Sequence, residues 1–400
     1  MRTLFVTSSI DWPPRVGGEI RKWNVLQGLR QAGAVDAIVF RQEDAPVMAE
    51  SFAGCGKVFE FPGHHIRMSE RDRLRYSSTL GRGLLTLGTS LPYEYLGADW
   101  SELRSRIRRE VDLDAYDLIW FATARAALPF GAVAHRRTVL DGDDYSYVRQ
   151  TLLLASTPWY GAKLWNYLDL IKLRRWERSF PRRFSCVVRC SEEDRKLLPA
   201  ANVIVVPNGT RLPEHVERAP EHRVLFIGDL AYEPNAQGLE WFIERIWPLI
   251  RQRVPDAELD IIGRRPPETI QQHHGTSGIV VHGFVKDLAA LFRTASVSVV
   301  PLMAGGGTRL KILESLGFGL PVVSTTVGAF GIEATPEQGL VLADAPEEFA
   351  DRCSAELLQS SATDPRVQAG RDFIAAHYDW RNIQQQVASL ARRVVSERSQ

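Results

Sequence analysis

The stretch VPLMAGGGTRLKILESLGFGLPVVST, Val300 to Thr325, decides the fold. It reads as the end of a buried strand over 296–301, a glycine-rich turn, a helix from about Thr308, and a second buried strand over 322–324. Leu310, Ile312, Leu313 and Leu316 form the apolar side of the helix, Gly317 and Gly319 end it, and Pro321 resets the chain. A glycine turn feeding a helix N-terminus leaves several backbone N–H groups unpaired and pointing one way. With the helix dipole this makes an anion site suited to phosphate. Gly305, Gly306 and Gly307 supply the turn, Arg309 and Lys311 add fixed positive charge, and Glu314 is placed to accept hydrogen bonds from sugar hydroxyls.

The same alternation extends outward. Val224–Gly228 is a strand followed by the loop 229–235 and a helix through Trp241, Phe242 and Ile246. Further strands are expected at 259–262, ending at Gly263, at 279–281 before Gly283, and at 340–343. Strands alternating with helices predict a doubly wound parallel sheet over 213–375, with a helical segment over 376–400. The first half opens with a strand over 3–8, then Val16-Gly17-Gly18-Glu19, a helix from Ile20 to about Ala32 and a strand over 37–40. This is a βαβ unit. More strands at 58–61, 118–121, 138–140, 186–188 and 203–206, with helices over 94–111 and 159–179, complete a second such domain over 1–212.

Two domains of this kind are expected to face each other across a cleft at the carboxyl edges of their sheets. Gly17, Gly18 and the run Asp141-Gly142-Asp143-Asp144 would line it from one side, and Gly228, Asn235, Gly263 and 305–314 from the other. The aspartate run admits three readings: a magnesium site, a helix-capping turn, or a metal-free polar edge where Asp141 or Asp144 meets a substrate hydroxyl or acts as base. The metal-free edge is preferred over metal and stands level with the turn.

Composition narrows the class. The 400 residues are 44% hydrophobic and 24% charged with net charge +1, which excludes a disordered or coiled-coil chain. No apolar run approaches the roughly 18–20 residues of a membrane span, and Met1–Ser9 is too short for a signal peptide. Cys55, Cys186, Cys190 and Cys353 are scattered, so reduced, structural thiols and a cytoplasmic location are expected. Charge is uneven: residues 1–215 hold 31 basic against 25 acidic side chains, the remainder 18 against 23. The basic helices of the first half carry Trp159, Tyr160, Trp165 and Trp176 among their arginines. A solvated face is the ordinary reading; contact with the inner face of a membrane, or with an anionic acceptor, is the alternative. No nucleic-acid reading motif accompanies these charges.

The second half resembles the retaining, metal-independent family 4 glycosyltransferases of the GT-B fold. The resemblance rests on Phe226-Ile227-Gly228…Pro234-Asn235, Ile262-Gly263, Gly283–Asp287, Val300-Pro301-Leu302, Gly305–Glu314 and Gly317…Gly319-Leu320-Pro321-Val322-Val323. The first half matches more loosely through Gly17-Gly18, Ser191…Asp194 and Pro207-Asn208-Gly209. The resemblance implies two Rossmann-like domains with a C-terminal helix crossing back to the first. It implies a UDP-, GDP- or dTDP-sugar donor, no required cofactor or metal, and transfer to a hydroxyl on a sugar, lipid-linked sugar or small molecule in polysaccharide, glycolipid or glycoconjugate synthesis. In the implied site Gly263, Phe284 and Val285 hold the base and Glu314 the ribose. Gly306, Gly307, Thr308, Arg309 and Lys311 hold the diphosphate, and Gly17 and Gly18 approach the phosphate and sugar. Gly306 stands where the family's E-x7-E motif has its first glutamate, as in a branch with G-x-G-T-R-L-K-x-L-E, and the loop 229–235 lacks the usual Arg and Lys. Asp141–Asp144 occupy the position where the family often has an acidic-site histidine. A related sugar-nucleotide epimerase or phosphorylase, and a catalytically silent sugar-nucleotide binder, are the rival readings.

Overall fold

The computed structural model describes residues 1–14, 17–41, 47–63, 70–96, 100–131, 137–142, 146–156, 159–213, 218–304, 309–359 and 363–397. The chain forms two compact units, Met1–Pro207 with Ile383–Gln400, and Asn208–Asn382.

The first unit is built on a parallel sheet of seven strands among the described residues: β1 (Arg2–Ser8), β2 (Ala34–Arg41), β3 (Val58–Pro62), β4 (Leu118–Phe121), β5 (Thr138–Asp141), β6 (Cys186–Arg189) and β7 (Val203–Val205). Their order is β3-β2-β1-β4-β5-β6-β7. Phe5 pairs with Ala37 on one side and Trp120 on the other, which fixes the register at the centre. β4 and β5 are buried at every residue, as strands covered on both faces must be. Phe40, Phe61, Phe121 and Phe130 are among the aromatic residues of the core packed on the sheet.

The second unit repeats the scheme with β8 (Arg223–Ile227), β9 (Glu258–Ile262), β10 (Ile279–Gly283), β11 (Val297–Val300), β12 (Val322–Ser324) and β13 (Leu340–Leu342), in the order β10-β9-β8-β11-β12-β13. Its core packs Phe226, Phe242, Trp247 and Phe349, and the Trp247 indole N–H donates to the Ser277 carbonyl at 3.0 Å. In both sheets the strand order reverses beside the first strand, at β1/β4 and β8/β11, where ligands bind in open α/β sheets.

Several sequence expectations need correction. The unit boundary falls at Pro207/Asn208 and not at 212, because Thr210 pairs with Asp379 and its N–H donates to the Tyr378 carbonyl at 2.8 Å. The C-terminal return begins at Ile383, inside the helix Trp380–Ser396, where Gln384 donates to Asn24 at 2.8 Å and Arg392 to the Gln31 carbonyl at 2.6 Å. Gly17 and Gly18 are the first turn of the helix Gly17–Ala32, not a loop before it. The helix expected over 94–111 is a turn at Tyr93–Tyr95 and a helix at Trp100–Glu110. The turn is pinned by the Tyr93 N–H, which donates to the Asp169 carboxylate at 3.1 Å. The helix Thr79–Gly88 was illegible because Gly81, Gly83 and Gly88 argue against a helix. Ser78 caps it, accepting from the Gly81 N–H at 3.0 Å.

All four cysteines are free thiols, three of them buried. Among the described residues no helix is long and apolar enough to cross a membrane.

Candidate functional site

In the second unit, β11 ends at Val300 and the chain returns into the helix Leu310–Gly317. This helix ends in a Schellman motif. The Gly319 N–H donates to the Leu316 carbonyl and the Leu320 N–H to the Ser315 carbonyl, at 2.9 and 2.8 Å. Gly319 has φ +73°, the left-handed conformation this cap requires. Arg371 adds a bond to the Gly317 carbonyl at 2.6 Å. Ile312, Leu313 and Leu316 are buried beneath, so the helix is fixed along its length and its first turn is held at the β8/β11 switch.

Lys311 projects from that first turn toward the end of β8. Its Nζ donates to Asn235 Oδ1 at 2.9 Å and lies 4.8 Å from the centre of the Phe226 ring. Asn235 is itself oriented, its Nδ2 donating to the Asp229 carbonyl at 2.9 Å. Gly228 completes the cluster. A Cβ there would lie 2.9 Å from Lys311 Nζ and 3.0 Å from Asn235 Nδ2, so a side chain at this position would push on both. Burial, with Arg309 nearby, lowers the Lys311 amine to about 7, against the opposing pull of Glu314. Burial raises the Glu314 carboxyl to about 7, opposed by Lys311. A cation and a carboxyl with displaced pKa values on one helix turn, at a sheet switch point, are the features of a ligand site.

Gly263 ends β9 against this cluster, with its N–H bonded to the Gly283 carbonyl at 2.9 Å. Phe284 follows β10 with its side chain 61% exposed, while Val285 packs on the cluster of Ile262 and Phe292. The structure therefore brings Gly228, Asn235, Gly263 and Lys311 together. Arg309 is buried, lies close enough to Lys311 to depress its amine, and its guanidinium donates to the Val327 carbonyl at 3.4 Å. Gly306, Gly307 and Thr308 lie outside the described residues, as does Asp144.

In the first unit Asp141, at the end of β5, is 2% exposed. Its Oδ1 accepts from Arg21 Nε at 3.0 Å and from Arg21 Nη2 at 2.7 Å, and Arg21 also donates to the Val206 carbonyl at 3.1 Å. The carboxylate read as a base is thus one half of a buried ion pair. Sequence reasoning missed Arg21. Its signal was a charge on the inner face of a helix whose neighbours Val25, Leu26 and Leu29 are core.

A cavity of about 320 Å³ opens beside Asp141, lined by Ser8, Glu94, Thr123, Arg125, Glu177 and Arg189 among others. Glu177 caps the helix Ser146–Ser156, accepting from the Ser146 and Tyr147 N–H groups at 3.0 and 3.1 Å. Its burial raises its carboxyl to about 7, opposed by Arg189. Glu94 accepts from Ser146 Oγ at 2.9 Å. Hydroxyl, carboxylate and guanidinium groups around a cavity at the carboxyl edge of β1, β4, β5 and β6 suit a polyhydroxyl ligand.

Residues 221–359, all within the second unit, match the family model described as Glycosyl transferases group 1. A phosphatidyl-myo-inositol mannosyltransferase of Mycobacterium leprae is 26% identical over 215 residues, 50% of this chain and 56% of that protein. An uncharacterized 44.6 kDa protein in the cps region of Klebsiella pneumoniae is 27% identical over 135 residues, 32% of this chain and 35% of that one. The chain thus matches between about a third and somewhat over half the length of these curated relatives. The crystal structure of Anabaena HepE in complex with UDP and glucose superposes with a TM-score of 0.63 at 15% identity, covering 98% of this chain and 100% of that one. The architecture is the α/β GT-B fold of two Rossmann-like domains.

Proposed function

We propose that this protein is a retaining, metal-independent glycosyltransferase that moves a hexosyl group from a nucleotide-diphosphate sugar to a hydroxyl acceptor. The observation that carries the reading is the cluster of Lys311, Asn235 and Gly228 at the β8/β11 switch, beside a helix N-terminus. The second unit takes the donor. Gly263, Phe284 and Val285 meet the base, Glu314 the ribose, and Lys311 with the Gly306–Thr308 backbone the diphosphate. As the sugar–phosphate bond breaks, negative charge grows on the leaving phosphate, and Lys311 and the helix dipole stabilise it. The acceptor oxygen bonds to the anomeric carbon from the same face, and its proton passes to the departing phosphate, so no enzyme nucleophile is required. Arg309 contributes by bracing the turn behind Lys311. The cavity beside Asp141 receives the acceptor, and Asp141 acts through Arg21 as a positioning group.

UDP-sugars are the first donors to test, since HepE was crystallised with UDP and glucose. The mannosyltransferase relative, named for a phosphoinositide, directs the acceptor search toward lipid-linked sugars and the class of reactions that build glycolipids and polysaccharides. Incubation with a panel of UDP-, GDP-, dTDP- and ADP-sugars should give slow hydrolysis and a thermal shift with one base. No turnover and no shift with any of them would sink the reading.

Glu314→Ala should weaken donor binding by about tenfold, the value of one or two hydrogen bonds to a charged group. Glu314→Gln, which keeps a hydrogen-bonding oxygen, should lose less. Calorimetric titration with the matching nucleoside diphosphate checks both, and equal affinities across the series would remove Glu314 from the ribose site.

A further inference from the structure

The helices Thr79–Gly88 and Lys163–Arg178 of the first unit lie side by side. The Trp165 ring sits against Gly83, Arg82 donates to Asn166 at 3.4 Å, and Lys172 donates to the Thr86 and Thr89 carbonyls, the latter at 2.6 Å. These pairs rise together along both segments, so the helices run roughly parallel. On the first helix the contact positions 83 and 86 are each followed by an exposed leucine, Leu84 and Leu87, with Leu80 one turn earlier. On the second, the contact positions 165 and 172 are each preceded by an exposed residue, Leu164 and Ile171, with Leu168 between them. One residue is a rotation of about 100°. A step forward on one helix and a step back on its parallel neighbour turn both rows to the same side.

The result is an apolar face drawn from two helices. Leu80, Leu84 and Leu87 are 77%, 58% and 78% exposed, and Leu164, Leu168 and Ile171 are 53%, 37% and 53% exposed. Trp159, just before the second helix, is 71% exposed. Exposed aliphatic residues are ordinary singly; five leucines and an isoleucine in two adjoining stripes mark a face that meets something apolar. The row continues past Ile171 into Arg175 and Arg178, both exposed and without an ion pair among the described residues. The acidic residues of the same helix, Asp169 and Glu177, are buried. The exposed face is therefore apolar and cationic.

We propose that this two-helix face docks the protein onto an anionic lipid bilayer, the leucines and Trp159 entering the headgroup boundary while Arg175 and Arg178 pair with lipid phosphates. Charge selects this occupant. The row is apolar at one end and cationic at the other, and an anionic bilayer is complementary to both parts. The proposal does not depend on glycosyl transfer; it places the first unit where a lipid-linked acceptor would be found.

The test is co-sedimentation of the full chain with vesicles of phosphatidylcholine alone and with about one-third phosphatidylglycerol. Binding is expected to the anionic vesicles only, falling at high salt. L84E/L168E and R175E/R178E should each lower the partition coefficient about tenfold or more, with unchanged circular dichroism. The arginine pair lies wholly on the exposed face, so it keeps the test decisive should the leucine pair misfold. Absence of binding by the wild type, or undiminished binding by folded R175E/R178E, would overturn the proposal. So would a dimer in light scattering that L84E/L168E converts to monomer. Donor hydrolysis in solution is read separately, so failure of docking and failure of the transferase reading are distinct outcomes.

Discussion

Replacing Lys311 by methionine is expected to lower turnover by two to three orders of magnitude, about 3–4 kcal/mol of transition-state stabilisation, the scale for losing one preorganised group at a developing anion. The fold should persist. Methionine fills similar volume, remains against the Phe226 ring and removes a cation from a site where burial already disfavours it. Nucleotide affinity should fall with the rate, but by less, because charge on the leaving phosphate is greatest in the transition state. The wild type carries a further signature. The free Lys311 amine is lowered to about 7, so below that pH it is charged and ready for diphosphate, and above it each binding event must first protonate it. Affinity for a nucleoside diphosphate should accordingly decline as pH rises from 7, by at most tenfold per unit, until the pKa of the complex is reached. Arg309 and Glu314 act on the amine from its own helix, and Asn235 from across the site. Glu314 ionises in the same range, which favours the charged amine and flattens the decline. Lys311→Arg should abolish the dependence. A flat wild-type profile together with near-normal turnover in Lys311→Met would remove Lys311 from the diphosphate site.

The largest loss of stability should come from Arg21→Leu, about 3–5 kcal/mol, the cost of stranding one partner of a buried ion pair. Arg21 and Asp141 side chains are each 3% exposed and their closest N–O distance is 2.7 Å. Without the guanidinium, the Asp141 carboxylate would lose two charge-assisted hydrogen bonds at the buried end of β5. Urea denaturation of Arg21→Leu, Asp141→Asn and the double variant checks this, and the double variant should be more stable than Arg21→Leu. The same set decides the role of Asp141. Turnover of folded Asp141→Asn within about tenfold of wild type would fit a positioning group, whereas a far larger loss in kcat with unchanged KM would restore it as a base.

Most strands were legible in the sequence to within a residue or two, because parallel strands buried on both faces read as unbroken apolar runs; β2 begins three residues before its expected start because Asp36 interrupts the run. Both doubly wound units followed from their alternation with helices. The helices over 70–88 were not legible: glycine and exposed leucine defeat the propensity and periodicity signals, and Thr79–Gly88 is held against Lys163–Arg178 by Trp165 on Gly83 and Lys172 on the Thr86 carbonyl. Lys311 and Glu314 were singled out by their spacing after a glycine turn. That Lys311 would be gripped by Asn235 was not legible, since 76 residues separate them.

The sequence by itself determined the local rules: which runs must be buried and where helices stop. The tertiary structure alone decided partnership. It paired Asp141 with Arg21 across 120 residues, turned Arg309 toward a carbonyl and left Lys311 facing Asn235. The physical reason is that hydrophobic periodicity acts over a few residues and is written in the chain. The pairing of buried charges is set by where the strand order places the ends of strands, and no local pattern records that.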